Sequence, residues 1–261
     1  MRRARLGETQ LAFRVSGHGD QLVALVHSYT TSSRAWEPLI ARLGARYTFL
    51  SIDLRGHGET SPPSEKVAIA DLAEDVANLL DALGIDEIDF LGLSIGGMIG
   101  QAFALNHGDR LGRLVLACTT GRLDADAGPV WDGRLADICT NGLEGQVEPT
   151  LKRWFGGAYD AMDPLVLKDV AEMIRETSIE GALKLGEAVK RHDLLNELSA
   201  ITAPTLVIAG AQDLSFPLYH AENLRAAIPG CELAVIEGAG HQAALQKPDE
   251  FAAIVDEFLS R

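Results

Sequence analysis

A chain of 261 residues, 47% of them hydrophobic and 23% charged, has enough apolar material for one large domain or one domain with an insertion. Its net charge of −14 works against binding nucleic acid or an anionic lipid surface. No apolar run reaches membrane-spanning length, and Cys118, Cys139 and Cys231 are too scattered for a disulfide framework or a zinc site. The opening MRRARLGETQ carries three arginines, but no apolar stretch follows them, so the reading is a cytoplasmic, unprocessed protein.

Strands are expected at Leu22–His27, Tyr47–Asp53, Ile88–Leu93, Leu114–Ala117, Thr205–Ala209 and Leu233–Ile236. Each is nearly continuously apolar, as parallel strands buried on both faces are. Helical periodicity lies between them. Trp36, Leu39, Ile40 and Leu43 share a face, as do Leu72, Val76, Leu79, Leu80 and Leu83. After Pro248, a first-turn proline, Phe251, Ile254, Val255, Phe258 and Leu259 repeat the pattern. Alternation of this kind predicts an α/β fold with a mostly parallel central sheet flanked by helices. Residues 122–198 break the alternation: they are helical in character, contain no good strand and are too long for a simple connection. They are expected to form a helical cap inserted into a core made of residues 1–121 and 199–261.

The chemistry centres on Gly92-Leu93-Ser94-Ile95-Gly96, which follows the IDFLGL strand and opens a helix. A serine on a sharp strand-to-helix turn is lifted clear of the sheet, and glycines at 92 and 96 let neighbouring backbone pass close by. Ser94 is therefore the candidate nucleophile. A serine hydroxyl needs a base. His241 sits in a small-residue loop directly after the LAVI strand, at the carboxyl edge of the sheet. Asp213 follows TLVIAG and would hold the imidazole in one tautomer. The chain order Ser94, Asp213, His241 suits this arrangement. The backbone N–H groups of Ile95 and Tyr29 are the candidate oxyanion donors. His27, Asp53 and His57 read as residues that fix turns.

These segments resemble the α/β-hydrolase superfamily over nearly the whole chain, through DLRGHG (53–58), GLSIGGMIGQ (92–101), PTLVIAGAQD (204–213) and GAGH (238–241). Within it the chain is most similar to 3-oxoadipate enol-lactonases, through GLSIGGMIGQ, the triplet Arg153-Trp154-Phe155 and LSAITAPTLVIAG (198–210). The resemblance implies a serine hydrolase that cleaves a small carboxylic ester or lactone through an acyl-enzyme, with no metal or organic cofactor. Trp131, Arg153, Trp154 and Phe155 are the candidate substrate contacts, Arg153 for a substrate carboxylate. The protein would act on a small molecule as a monomer or small homo-oligomer. Departures from the pattern are His27-Ser28 where His-Gly is usual, Gly181-Ala182 and Leu185 in the last cap helix, and Gly-His-Gln around the base. Other triad chemistry, such as C–C bond hydrolysis, and slow-turnover ligand sensing are the competing functions; multiple turnover separates the last from an enzyme.

Overall fold

The apolar runs form the centre of one eight-stranded sheet in the computed structural model, which describes residues 1–261. In chain order the strands are β1 (Arg2–Leu6), β2 (Thr9–Gly17), β3 (Gln21–Val26), β4 (Tyr47–Ile52), β5 (Ile88–Leu93), β6 (Leu111–Ala117), β7 (Thr205–Gly210) and β8 (Glu232–Ile236). Across the sheet they run β1-β2-β4-β3-β5-β6-β7-β8. Only β2, which pairs with β1 and β4, is antiparallel to its neighbours. The rest pair in parallel.

Successive residues of a strand point to opposite faces, and here both faces are covered. Ala24, Val26, Phe90, Leu114 and Leu116 meet α2 (Ile69–Leu83), α3 (Ile95–Asn106) and α8 (Leu218–Ala227) on one side. Val23, Leu25, Leu91, Leu93 and Val115 meet α1 (Glu37–Leu43) and α10 (Pro248–Leu259) on the other. The short α9 (Ala243–Gln246) precedes α10.

Two strands differ from the sequence expectation. β1 and β2 were not anticipated: the arginines of β1 lie on an exposed sheet edge, and the continuous apolar stretch of β2 is only Leu11–Phe13 within nine residues. Charge on an edge strand deters pairing with a second chain, so such a strand does not carry the apolar signature of a central one. The six expected strands are all present, with ends shifted by up to three residues.

Between β6 and β7 the chain leaves the sheet for four helices: α4 (Ala127–Asn141), α5 (Glu144–Phe155), α6 (Pro164–Glu176) and α7 (Ile179–Lys190). They share an apolar cluster built on Ile138, Val147, Leu151, Phe155, Val170 and Ile174. At its neck, Arg122 and Asp193 form an antiparallel bridge, and their side chains pair at 2.7 Å. No helix is long and apolar enough to cross a membrane.

Candidate active site

The parallel register brings the carboxyl ends of β3, β5, β7 and β8 to one edge. Val26 lies opposite Gly92, so the loop after β3 passes beside the turn after β5. Ser94 occupies that turn with φ 60° and ψ −116°, a backbone region costly to a residue with a side chain, by about 1–3 kcal/mol. Main-chain bonds hold it there: its N–H donates to Ala117 O at 2.9 Å, and its carbonyl accepts from Gly97 N and Thr119 Oγ1 at 2.9 and 2.7 Å. A Cβ at Gly92 would lie 2.1 Å from Gly96 O, and one at Gly96 would lie 2.1 Å from Val26 O. The turn closes only with glycine at both positions.

Ser94 lines a cavity of about 180 Å³ together with His241, Tyr29, Trp131, Arg153 and Trp154. His241 Nδ1 lies 2.8 Å from Asp213 Oδ2, and both residues are buried. The other Asp213 oxygen accepts the Ser215 and Phe216 N–H groups at 2.7 and 3.0 Å. The carboxylate thus accepts the Nδ1–H and leaves His241 Nε2 as the free acceptor. The ring is flanked by Trp154 at 6.0 Å and by the edge of Phe216 at 5.5 Å. The His241 N–H donates to Trp154 O at 2.7 Å. No hydrogen bond joins Ser94 Oγ to His241, a contact that commonly tightens only when substrate binds.

Ile95 begins α3, so its N–H has no intrahelical partner. Tyr29 follows β3 in a turn closed by Thr31 N to Ser28 O at 3.2 Å, and its hydroxyl donates to Ala182 O at 2.8 Å. Beneath the turn, His27 bridges Ser28 O at 2.8 Å and the Leu54 N–H at 3.0 Å. Asp53 accepts the Ser33 and Glu59 N–H groups. His57 Nδ1 reaches Arg55 O at 3.0 Å, while its Nε2 is buried without a partner. Burial, aided by the nearby His27, pushes the His57 imidazole down to about 3. Ser28 Oγ accepts from Gln242 Nε2 at 2.8 Å, so two of the sequence departures touch each other.

Phe155 is a correction. Its ring is fully buried in the apolar cluster of the inserted helices and does not line the cavity, because it points into the packing between α5 and its neighbours. The cavity instead has residues the sequence analysis did not single out: Arg134, Phe216 and His220. For Arg134 a signal existed, since Ala127, Val130, Trp131 and Arg134 recur at one helical face. Arg134 lies 4.9 Å over the Trp131 ring. Arg153 donates to Thr150 Oγ1 at 3.3 Å, and its Nε is buried without a partner. Burial, with the neighbouring Arg134 cation, lowers the Arg153 guanidinium to about 9, which leaves it charged at neutral pH. Burial lowers Arg134 as well. In a chain with a large acidic excess, two cavity guanidiniums without a carboxylate partner make this cavity locally cationic. No three His, Cys, Asp or Glu side chains converge as a metal set.

The profile of the alpha/beta hydrolase fold family matches residues 21–248. Among curated proteins, the chain is 27% identical over 256 residues to 3-oxoadipate enol-lactonase 1 of Acinetobacter baylyi, covering 98% of this chain and 94% of that one. Among solved structures, the enol-lactonase from Burkholderia xenovorans LB400 superposes with a TM-score of 0.95 at 32% identity, with all of both chains covered. A thermophilic esterase from Thermogutta terrifontis, with malate bound, superposes with a TM-score of 0.92 at 28% identity, covering 100% of this chain and 98% of that one.

Proposed function

The chain belongs to the alpha/beta hydrolase family, and on that premise we propose that it hydrolyses a small carboxylic ester or lactone bearing a carboxylate, through an acyl-enzyme on Ser94. The observation that carries this reading is the 2.8 Å contact of His241 with Asp213 behind a cavity into which the strained Ser94 also opens. Ser94 Oγ attacks the carbonyl carbon while His241 Nε2 takes its proton, and Asp213 stabilises the resulting imidazolium. The Ile95 and Tyr29 N–H groups receive the oxyanion. Collapse of the tetrahedral intermediate breaks the acyl C–O bond, and His241 returns the proton to the leaving oxygen. In a lactone that oxygen stays tethered to the acyl chain. Water, deprotonated by the neutral His241, then attacks the acyl-enzyme and releases the acid and free Ser94.

Residues 122–198 serve in this reading as the cap over the core of residues 1–121 and 199–261. They supply Trp131, Arg134, Arg153 and Trp154 to the cavity. The arginines bind the carboxylate as charge-assisted pairs, and the small cavity limits the acyl part. The enol-lactonase and esterase relatives support the substrate class.

The test compares wild type with Ser94→Ala on short-chain nitrophenyl esters and simple lactones, with fluorophosphonate labelling. Turnover and labelling are expected in wild type and in neither case for the variant. Turnover that survives the substitution removes Ser94 as the nucleophile. Labelling without turnover of any ester or lactone removes the hydrolase reading in favour of a ligand sensor.

A further inference from the structure

His220, in the first turn of α8, is buried beside the cavity, yet the acyl-transfer steps make no use of it. Its ring lies tilted against Tyr219, with centroids 4.2 Å apart, and meets the edge of Phe216 at 5.4 Å, the same ring whose edge faces His241. Hydrogen-bond counting fixes its tautomer. Nδ1 lies 2.8 Å from Thr120 Oγ1. That hydroxyl sits 2.5 Å from the Arg122 carbonyl, a separation two oxygens tolerate only with a proton between them. It also accepts the Arg122 N–H at 3.1 Å. The Thr120 proton is thus committed, and the His220 ring must donate from Nδ1.

In the neutral ring Nε2 is then a bare acceptor. Its single polar contact within the protein is the long one to Asp124. The polar atom facing it is Asp124 Oδ2 at 3.4 Å, an acceptor that already receives the Tyr219 hydroxyl. Burial favours the neutral ring, and the Asp124 carboxylate opposes it. Two acceptors side by side on a cavity wall call for a donor between them. Arg134 lies elsewhere. Asp124 precedes α4, and from Ala127 the lining stripe runs two turns, about 10 Å, to Arg134.

We propose that His220 is a specificity-determining residue, whose Nε2 accepts a hydrogen bond from a hydroxyl on the substrate at the end of the cavity away from Arg134. The inference rests on the cavity being the substrate site of the hydrolase described above. The substrate is then an ester or lactone with an anionic group at one end and a hydroxyl at the other.

The test compares wild type, His220→Leu and His220→Gln on a γ-lactone bearing a carboxymethyl group and on its ring-hydroxylated forms. Wild type is expected to prefer a hydroxylated lactone in kcat/KM. Leucine should reduce that preference at least about tenfold, and glutamine, whose Oε1 replaces Nε2 as acceptor, should keep most of it. A preference unchanged in His220→Leu, or equal losses on both lactones, overturns the proposal. A second measurement does not need turnover: ¹⁵N NMR of the His220 ring in Ser94→Ala. The expected spectrum is neutral and Nδ1-protonated, with an Nε2 resonance that moves on adding 2,4-dihydroxybutyrate but not butyrate. An Nε2-protonated ring, or no selective shift, overturns the His220 assignment. Hydrolysis persisting in Ser94→Ala would instead overturn only the acyl-enzyme reading.

Discussion

The main-chain N–H of His241 donates to the carbonyl of Trp154 at 2.7 Å, so the histidine loop is fastened to the inserted helices through backbone. The preceding residue shows how close this approach is: a Cβ on Gly240 would lie 2.4 Å from Trp154 O. Gly240→Ala must therefore push α5 and the His241 loop apart. A displacement near 1 Å costs about 100-fold in rate for a positioned base. We expect kcat to fall by about that factor, with a lowered Tm. Wild-type kcat in a variant shown to be folded by circular dichroism would mean that the loop position does not matter.

Asp213→Asn leaves the Ser215 and Phe216 N–H groups an oxygen to bond, so the loop should keep its shape. The amide NH₂ would then face His241 Nδ1 and favour the wrong tautomer. If the proposed triad operates as Ser-His-Asp sites do, kcat should drop about 10⁴-fold. Thermal denaturation and ester kinetics on the same sample check both halves, and a drop below about tenfold would remove Asp213 as the residue that orients His241 and stabilises its imidazolium.

Arg153→Met trades binding against stability. It removes a buried guanidinium whose Nε has no partner, so the variant should gain roughly 1–3 kcal/mol in urea unfolding. The same change should raise KM for carboxylate-bearing lactones and leave neutral nitrophenyl esters nearly unaffected. Equal effects on charged and neutral substrates would show that Arg153 acts through packing alone.

Acid should destabilise the fold through its buried histidines. Burial holds His57 at about 3 and His192 at about 4, against 6.5 when free. Between those values the unfolded chain binds the proton and the folded chain does not. The stabilisation is complete above pH 6.5 and is lost as pH falls towards 3, by about 1.4 kcal/mol per pH unit for each such histidine. Urea unfolding of wild type and His57→Gln at about pH 4, 5 and 7 measures it. The variant should show the shallower slope, and identical slopes would contradict a neutral buried His57.

The central strands were legible because β3, β5 and β7 are buried on both faces and read as unbroken apolar runs. Ser94, Asp213 and His241 stood out because each follows such a run in a loop of small or polar residues. β1 was not legible, since an edge strand rich in arginine carries little apolar periodicity. Phe155 and Arg134 show the same limit inside the helices. The triplet 153–155 turns its members to different sides of α5, so adjacency in sequence did not mean a shared cavity. Arg134 lies one turn beyond Trp131 on the lining face of α4, where periodicity rather than adjacency carries the information.

The neck of the insertion has an evolutionary consequence. β6 and β7 are neighbours in the sheet, and the Arg122–Asp193 bridge closes the excursion between them. The covalent connections are thus two adjacent points, and the entropy of closing the excursion grows slowly with its length, while the bonds from His241 N–H to Trp154 O and from Ser178 N–H to Gly56 O are the non-covalent ties a new insertion would have to restore. Helices could be lengthened, exchanged or transplanted from a relative at this junction while the sheet keeps its register. Such grafts would exchange the Trp131, Arg134 and Arg153 wall of the cavity and leave the Ser94 turn in place, provided that the new helices offer a carbonyl where Trp154 now holds the His241 loop.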